Sequence, residues 1–217
     1  MNLEKYQQYS RIARGLEKAD LVLKDARIVN VFTEEIIRGD IAIQDGIIAG
    51  IGSFHGKEER DLAGRYVCPG FIDSHLHLES TLVTPAELVT VASRHGTTTF
   101  IVDPHESANV SGLAGIDYIL DQTEDVKANV YVMMPSCVPA TAIDDNGCTL
   151  TAEDMAPYLH NSRILGLGEV MDSISVVQGE KSMHDKLELF EGRIRDGHAP
   201  FLEEGDLQAY AMAGIAT

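Results

Sequence analysis

Apolar and polar residues change rhythm twice along this chain. Residues 3–18 place Leu3, Tyr6, Ile12 and Leu16 at helical spacing, which predicts a short amphipathic helix. From residue 19 the rhythm becomes a series of short β-rich runs. These are Leu21-Val22-Leu23, Arg27-Ile28-Val29-Asn30-Val31, Asp40-Ile41-Ala42-Ile43 and Ile47-Ile48-Ala49-Gly50-Ile51. Asp45-Gly46 between the last two predicts a tight hairpin turn. The runs predict a small antiparallel sheet over 19–66.

From residue 67 apolar runs alternate with helical patterns. Strands are expected at 67–73, 97–103, 129–134 and 164–169, with a weaker one at 194–198. Helices are expected at 85–95, 111–123, 151–160, 183–193 and 205–213. Thr84-Pro85 with Glu87 makes a good helix start, and Thr151 with Asp154 resembles a capping box. Alternation at this spacing means parallel βα units. The fold class is therefore α/β: an incomplete (β/α)8 TIM-type barrel of about five βα units over 67–217, preceded by the helix of 1–18 and the small β-domain of 19–66. A complete barrel usually takes about 250 residues. The pattern also begins a sixth strand at Ala213–Thr217, so the chain reads as the first part of a longer enzyme, expected to be inactive alone.

Composition narrows the function. Hydrophobic residues are 44% and charged residues 24% of the 217, ordinary for a soluble domain. A formal net charge of -17 repels phosphate backbones and argues against a nucleic-acid partner. The first residues lack the apolar core of a signal peptide, and no apolar run approaches the ~20 residues of a membrane span. Cys68, Cys137 and Cys148 are odd in number and far apart, which suggests a reducing cytoplasm.

The chemistry collects at strand ends. In Val67-Cys68-Pro69-Gly70-Phe71-Ile72-Asp73-Ser74-His75-Leu76-His77, residues Asp73, His75 and His77 alternate, so a strand would point them to one face. Two adjacent imidazoles are a ready pair of ligands for a divalent transition metal; the plain alternative is a strand end whose histidines face water. Asp103, His105, Glu169 and His198 follow later strands, and a barrel carries its chemistry at that rim. Asp103 and His105 either line the pocket and support metal ligands or are structural. Glu79 either reaches substrate, supports His77 or is a solvated carboxylate. His77-Leu78-Glu79 is a nominal His-x-Glu, but the cysteines cannot supply the Cys-x-x-Cys of the zinc base deaminases. His55, His95, His160 and His184 receive no function, and Asp144-Asp145-Asn146-Gly147 reads as a turn.

Pro69-Gly70-Phe71-Ile72-Asp73-Ser74-His75-Leu76-His77 resembles the first-strand signature of the amidohydrolase superfamily, and the runs at 39–52 look like its small β-domain. Four later segments resemble its adenine deaminase branch: 101–106, 134–140, 166–171 and 196–200. The resemblance implies a hydrolase that deaminates adenine to hypoxanthine and ammonia. It implies His75, His77, Glu169 and His198 as metal ligands, with Glu169 in the bridging position that a carboxylated lysine fills in relatives such as dihydroorotase. Of these, Glu169 and His198 would also be catalytic; from the residues themselves, Glu79 is the further catalytic candidate, and Asp73, Asp103 and His105 are candidate supporting groups behind the ligands. Mn2+ or Fe2+ in a dinuclear site is implied, with Zn2+ compatible with the donors. A further metal histidine and a proton-carrying aspartate would lie beyond Thr217. The implied partners are adenine and further copies of the chain, as a homodimer or larger oligomer, with no nucleic acid and no membrane. Phe201-Leu202-Glu203-Glu204 departs from the small-residue stretch of relatives. The alternatives are a cyclic-amide hydrolase of the dihydroorotase or hydantoinase type, for which Lys would stand at Glu169, and a non-catalytic remnant.

Overall fold

The structure is a computed structural model that describes residues 1–141 and 143–216. The chain divides into two compact units, Met1–Pro69 and Gly70–Thr217.

In the first unit helix α1 is Leu3–Ala13, started by the Asn2 side chain, which accepts the Lys5 N–H at 2.9 Å. It stops five residues short of the expected end. Gly15 takes φ +70°, and the Leu16 N–H bonds back to the Arg11 carbonyl at 2.9 Å, a Schellman closure. Ile12 is buried, while Leu3, Tyr6 and Leu16 are exposed. Strands β1 (Ala19–Asn30), β2 (Glu35–Gln44) and β3 (Ile47–Gly52) are antiparallel neighbours. Asp45 and Gly46, both with positive φ, turn β2 into β3 as the sequence predicts. The two runs at 21–23 and 27–31 are one strand, interrupted by an irregularity between Leu23 and Ala26. Strands β4 (Gly56–Asp61) and β5 (Tyr66–Val67) add to β1 in parallel, so the sheet is mixed. Its order is β3-β2-β1-β4, over a core of Ile12, Ala19, Val22, Ala42 and Phe54.

The second unit is one parallel sheet in the order β10-β9-β8-β7-β6. Its strands are β6 (Phe71–Leu76), β7 (Thr97–Val102), β8 (Asn129–Pro135), β9 (Ile164–Val170) and β10 (Ile194–Gly197). Between them run α2 (Pro85–Ser93), α3 (His105–Ser111), α4 (Leu113–Gln122), α5 (Ala152–Met155), α6 (Ser173–Gln178) and α7 (Lys181–Leu189), with α8 (Glu204–Met212) after β10. Val89, Ile116, Ile119, Met155, Leu187 and Phe190 bury the helices against Phe100, Val132, Met134 and Leu167 of the strands. This is the first part of an α/β barrel, as expected.

The departures have local causes. The first barrel strand begins at Phe71, because Pro69 has no N–H and Tyr66–Val67 pair with β1 instead. The Thr151–Asp154 capping box forms, but Pro157 cannot continue α-type bonding and residues Ala156–His160 tighten into a 3-10 turn. Helices α3 and α6 were not expected. Of the sixth strand expected at 213–217, residues 213–216 are turn and coil, although the Ala216 N–H bonds the Arg195 carbonyl of β10 at 3.2 Å. Thr217 lies outside the described residues. No helix among the described residues is long and apolar enough to cross a membrane.

Candidate metal centre

All the candidate chemistry of the second unit sits at the carboxyl edge of its sheet. His75 is within β6 and His77 just past it. Asp103 follows β7, His105 opens α3, Glu169 is the penultimate residue of β9, and His198 follows β10.

Glu169 is the hub. Its Oε1 lies 2.9 Å from His75 Nε2, 3.3 Å from His77 Nε2 and 2.8 Å from His198 Nε2. Its Oε2 lies 3.1 Å from His105 Nδ1. The two Nε2 atoms of His75 and His77 are 3.2 Å apart, so both rings aim at one point. The Glu169 side chain is 8% exposed whereas that of His198 is 51% exposed, so the cluster has a buried floor and an open mouth. Burial opposes the charge on Glu169. Hydrogen bonds with His105 and His198 more than offset it and hold the carboxyl well below the usual carboxylate range. The hub is also locally strained. Glu169 has φ +36°, in the left-handed region that costs a non-glycine residue about 1–2 kcal/mol.

A second layer backs the hub. His105 Nδ1 is 2.5 Å from Asp103 Oδ1, and both side chains are buried. Burial lowers the His105 pKa, but the Asp103 and Glu169 carboxylates outweigh it and lift the imidazole to about 10. Burial in turn pushes Asp103 up. The Cys137 N–H lies 3.4 Å from His105 Nε2 and requires a lone pair there, a weaker demand at that length. Gly168 has no room for a Cβ because Asp103 Oδ2 and Met133 fill its place.

Beside His77 lies a carboxylate pair. Glu106 Oε2 is 3.2 Å from His77 Nδ1 but is not aligned for a hydrogen bond. Glu79, in a 3-10 turn after β6, accepts the Ser107 N–H through Oε1 at 3.2 Å, while its Oε2 is buried without a partner. Burial raises the Glu79 carboxyl, and Glu106 raises it further. Despite the cost of burial, Glu106 and Glu169 raise the His77 imidazole.

Three groups among the described residues offer ligand atoms within 4.8 Å of one another: His75, His77 and Glu169; His77, Glu79 and Glu106; Asp103, His105 and Glu169. The donor chemistry fits a divalent transition cation. Imidazole nitrogens surround one carboxylate, and buried His77 Nδ1 and Asp103 Oδ2 have no hydrogen-bond partner. The structure thus brings together His75, His77, Asp103, His105, Glu169 and His198. Asp73 does not join them; its Oδ1 accepts the His75 N–H at 3.4 Å, where the β6–β7 register breaks between Asp73 and Leu76. Sequence reasoning passed over Glu106 and Asp196. Asp196 Oδ2 is 3.6 Å from His75 Nδ1, and its place at the end of β10 was the available signal.

Comparison with known proteins bears on this geometry. The amidohydrolase family profile matches residues 66–217. The chain belongs to the amidohydrolase family. Among amidohydrolase relatives it is similar to the adenine deaminase of Desulfitobacterium hafniense (strain Y51), 57% identical over 217 residues, covering 100% of this chain and 38% of that protein. It is also similar to adenine deaminase 2 of Carboxydothermus hydrogenoformans, 48% identical over 204 residues, covering 94% of this chain and 36% of that protein. The chain thus spans well under half the length of the curated relatives it matches. The fold is that of the atrazine chlorohydrolase of Arthrobacter aurescens TC1, solved with zinc (TM-score 0.60, 14% identity, 90% of this chain and 56% of that chain). It is likewise that of the N-acyl-D-glutamate deacylase of Bordetella bronchiseptica, solved with zinc and a phosphonate inhibitor (TM-score 0.58, 17% identity, 92% and 50%).

Proposed function

We propose that this chain carries the first part of the active site of an amidohydrolase that deaminates adenine to hypoxanthine and ammonia. The observation that carries the reading is Glu169, a carboxylate and not a lysine, at the convergence of His75, His77 and His198. The similarity to two adenine deaminases supports the same substrate.

His75, His77 and His198 would hold the cations, with Glu169 shared between them. A bound divalent cation lowers the pKa of a water from near 16 to about 7. We assign Mn2+ or Fe2+ as the physiological pair; the imidazole and carboxylate donors also suit Zn2+. In the reaction a water oxygen bonds to C6 of adenine and the bond from C6 to the exocyclic nitrogen breaks; one water proton leaves with that nitrogen as ammonia, and the other remains on the product as the N1 proton of hypoxanthine. The chain's own residues contribute orientation and charge. Glu169 stays ionised on the buried floor of the site, with His198 beside it. His105 and Asp103 hold Glu169 from below through the short hydrogen-bonded axis. Glu79 and Glu106 lie beside Nδ1 of His77 and add negative charge there. The three cysteines, all unpaired, support a reducing cytoplasm, and the resemblance supports a homodimer or larger oligomer.

The test is turnover by the complete polypeptide carrying these residues, loaded with Mn2+ and offered adenine, adenosine, cytosine and dihydroorotate. Release of ammonia from adenine is expected. Turnover confined to dihydroorotate would replace this reading with the cyclic-amide one.

A further inference from the structure

We infer that Ser136 and Lys186 are positioning residues that hold Glu169 in its left-handed backbone and His105 against it; this rests on the assignment of Glu169 as a metal ligand. Ser136 is fully buried and follows directly on β8, the strand that pairs with β9 and Glu169. Its N–H donates to the Gly168 carbonyl at 3.2 Å, and its Oγ donates to the Glu169 carbonyl at 2.9 Å. One residue therefore grips the carbonyls of both peptides that flank the strained Glu169. The next carbonyl, of Val170, is held by the Tyr210 hydroxyl at 2.5 Å and the His198 N–H at 3.3 Å. A non-glycine residue stays in the left-handed region only when its surroundings leave no alternative, and these bonds supply that constraint.

Lys186 fixes Ser136 in turn. It lies on α7, is 8% exposed, and its Nζ donates to the Ser136 carbonyl at 2.6 Å. A buried ammonium is expensive to desolvate and usually faces a carboxylate. Here it is aimed at a backbone carbonyl of the peptide whose N–H, on Cys137, points to His105 Nε2. Lys186 polarises that peptide and locks its plane. The lock sets two things at once: the Ser136 hydroxyl toward Glu169, and the Cys137 N–H toward His105. Neither side chain touches the cation site.

The test compares the 217-residue chain with Ser136→Ala, Ser136→Thr and Lys186→Met by Co2+ titration, and by 15N resonances of the histidine rings in metal-free protein. Outer contacts of this kind typically change metal affinity by about 10–100-fold. Ser136→Ala is expected to weaken Co2+ binding about tenfold, alter the visible d–d bands of bound Co2+ and move the His105 ring resonances. Ser136→Thr, which keeps the hydroxyl, should restore the His105 resonances. Lys186→Met should act in the same direction without lowering the thermal midpoint, because it removes a buried charge. Should the unmodified chain bind no Co2+, the metal-centre reading fails while the His105 shift still decides the positioning roles. Variants whose Co2+ spectrum and His105 resonances match the unmodified chain, whatever their melting temperature, would overturn the inference.

Discussion

Asp40 in the first unit and Glu169 in the second are both buried, 8% and 6% exposed, and in both cases neighbours overcome the cost of burial and keep the carboxyl ionised. They differ in who those neighbours are. Asp40 accepts the Lys24 ammonium at 2.5 Å and the backbone N–H groups of Asp25 and Phe54 at 3.1 Å each. All three donors belong permanently to the fold. They stitch the irregular middle of β1 to β2 and to the segment after β3. Glu169 is met by four imidazoles. An imidazole nitrogen that donates a proton can instead donate a lone pair to a cation. Asp40 is saturated; Glu169 is held by exchangeable partners on a strained backbone. Burial and a depressed pKa therefore do not by themselves identify a site. The type of partner does.

Exchanging the two carboxylates for amides breaks the comparison most sharply. Glu169→Gln should weaken Mn2+ or Co2+ binding by more than about a hundredfold, since it removes a shared ligand, with the far-UV spectrum retained. Asp40→Asn should leave metal binding alone and cost about 2 kcal/mol, the scale of hydrogen bonds to a charged group, read as faster hydrogen exchange in β1 and β2. Metal loss from Asp40→Asn, or intact metal affinity in Glu169→Gln, would invert the account. A smaller effect separates the floor of the site from its mouth. His198, half exposed, should cost about tenfold in metal affinity when changed to Asn, less than the same change at the more buried His77. The smallest effect is on acid stability. The Asp40 carboxyl titrates lower folded than unfolded, so its contribution is fully present above about pH 4 and is lost as pH falls through the folded value. Protection of the β1 and β2 amides should decline over that window, and in Asp40→Asn that part of the decline should vanish.

The sequence showed β7, β8 and β9 because each carries an apolar run; β10, Ile-Arg-Asp-Gly, is mostly polar and gave a weaker signal. His75, His77, Glu169 and His198 drew notice because each is a polar residue at a strand end. It concealed β4, Gly-Lys-Glu-Glu-Arg-Asp, in which five of six residues are exposed. An edge strand protected by charges has no alternation to read. It divided β1 in two, because Lys24 and Asp25 sit where the strand kinks. Helices α3 and α6, of 7 and 6 residues, are too short for a period to emerge. Lys186 reads as a surface residue of an amphipathic helix, and only the placement of α7 beside the end of β8 buries it. Asp73 misled for a related reason. Strict alternation puts it with His75 and His77, and the broken β6–β7 register turns it back to its own backbone.

The central claim is that Glu169 and the histidines around it form a cation site. Titrating Mn2+ into chain labelled with 15N-histidine tests it directly, because a bound paramagnetic ion broadens the rings nearest to it. The account predicts saturable binding, with the His75, His77 and His198 resonances lost first while His95, His160 and His184 of the same unit stay sharp. Non-saturable broadening, or loss of the second group ahead of the first, would contradict it.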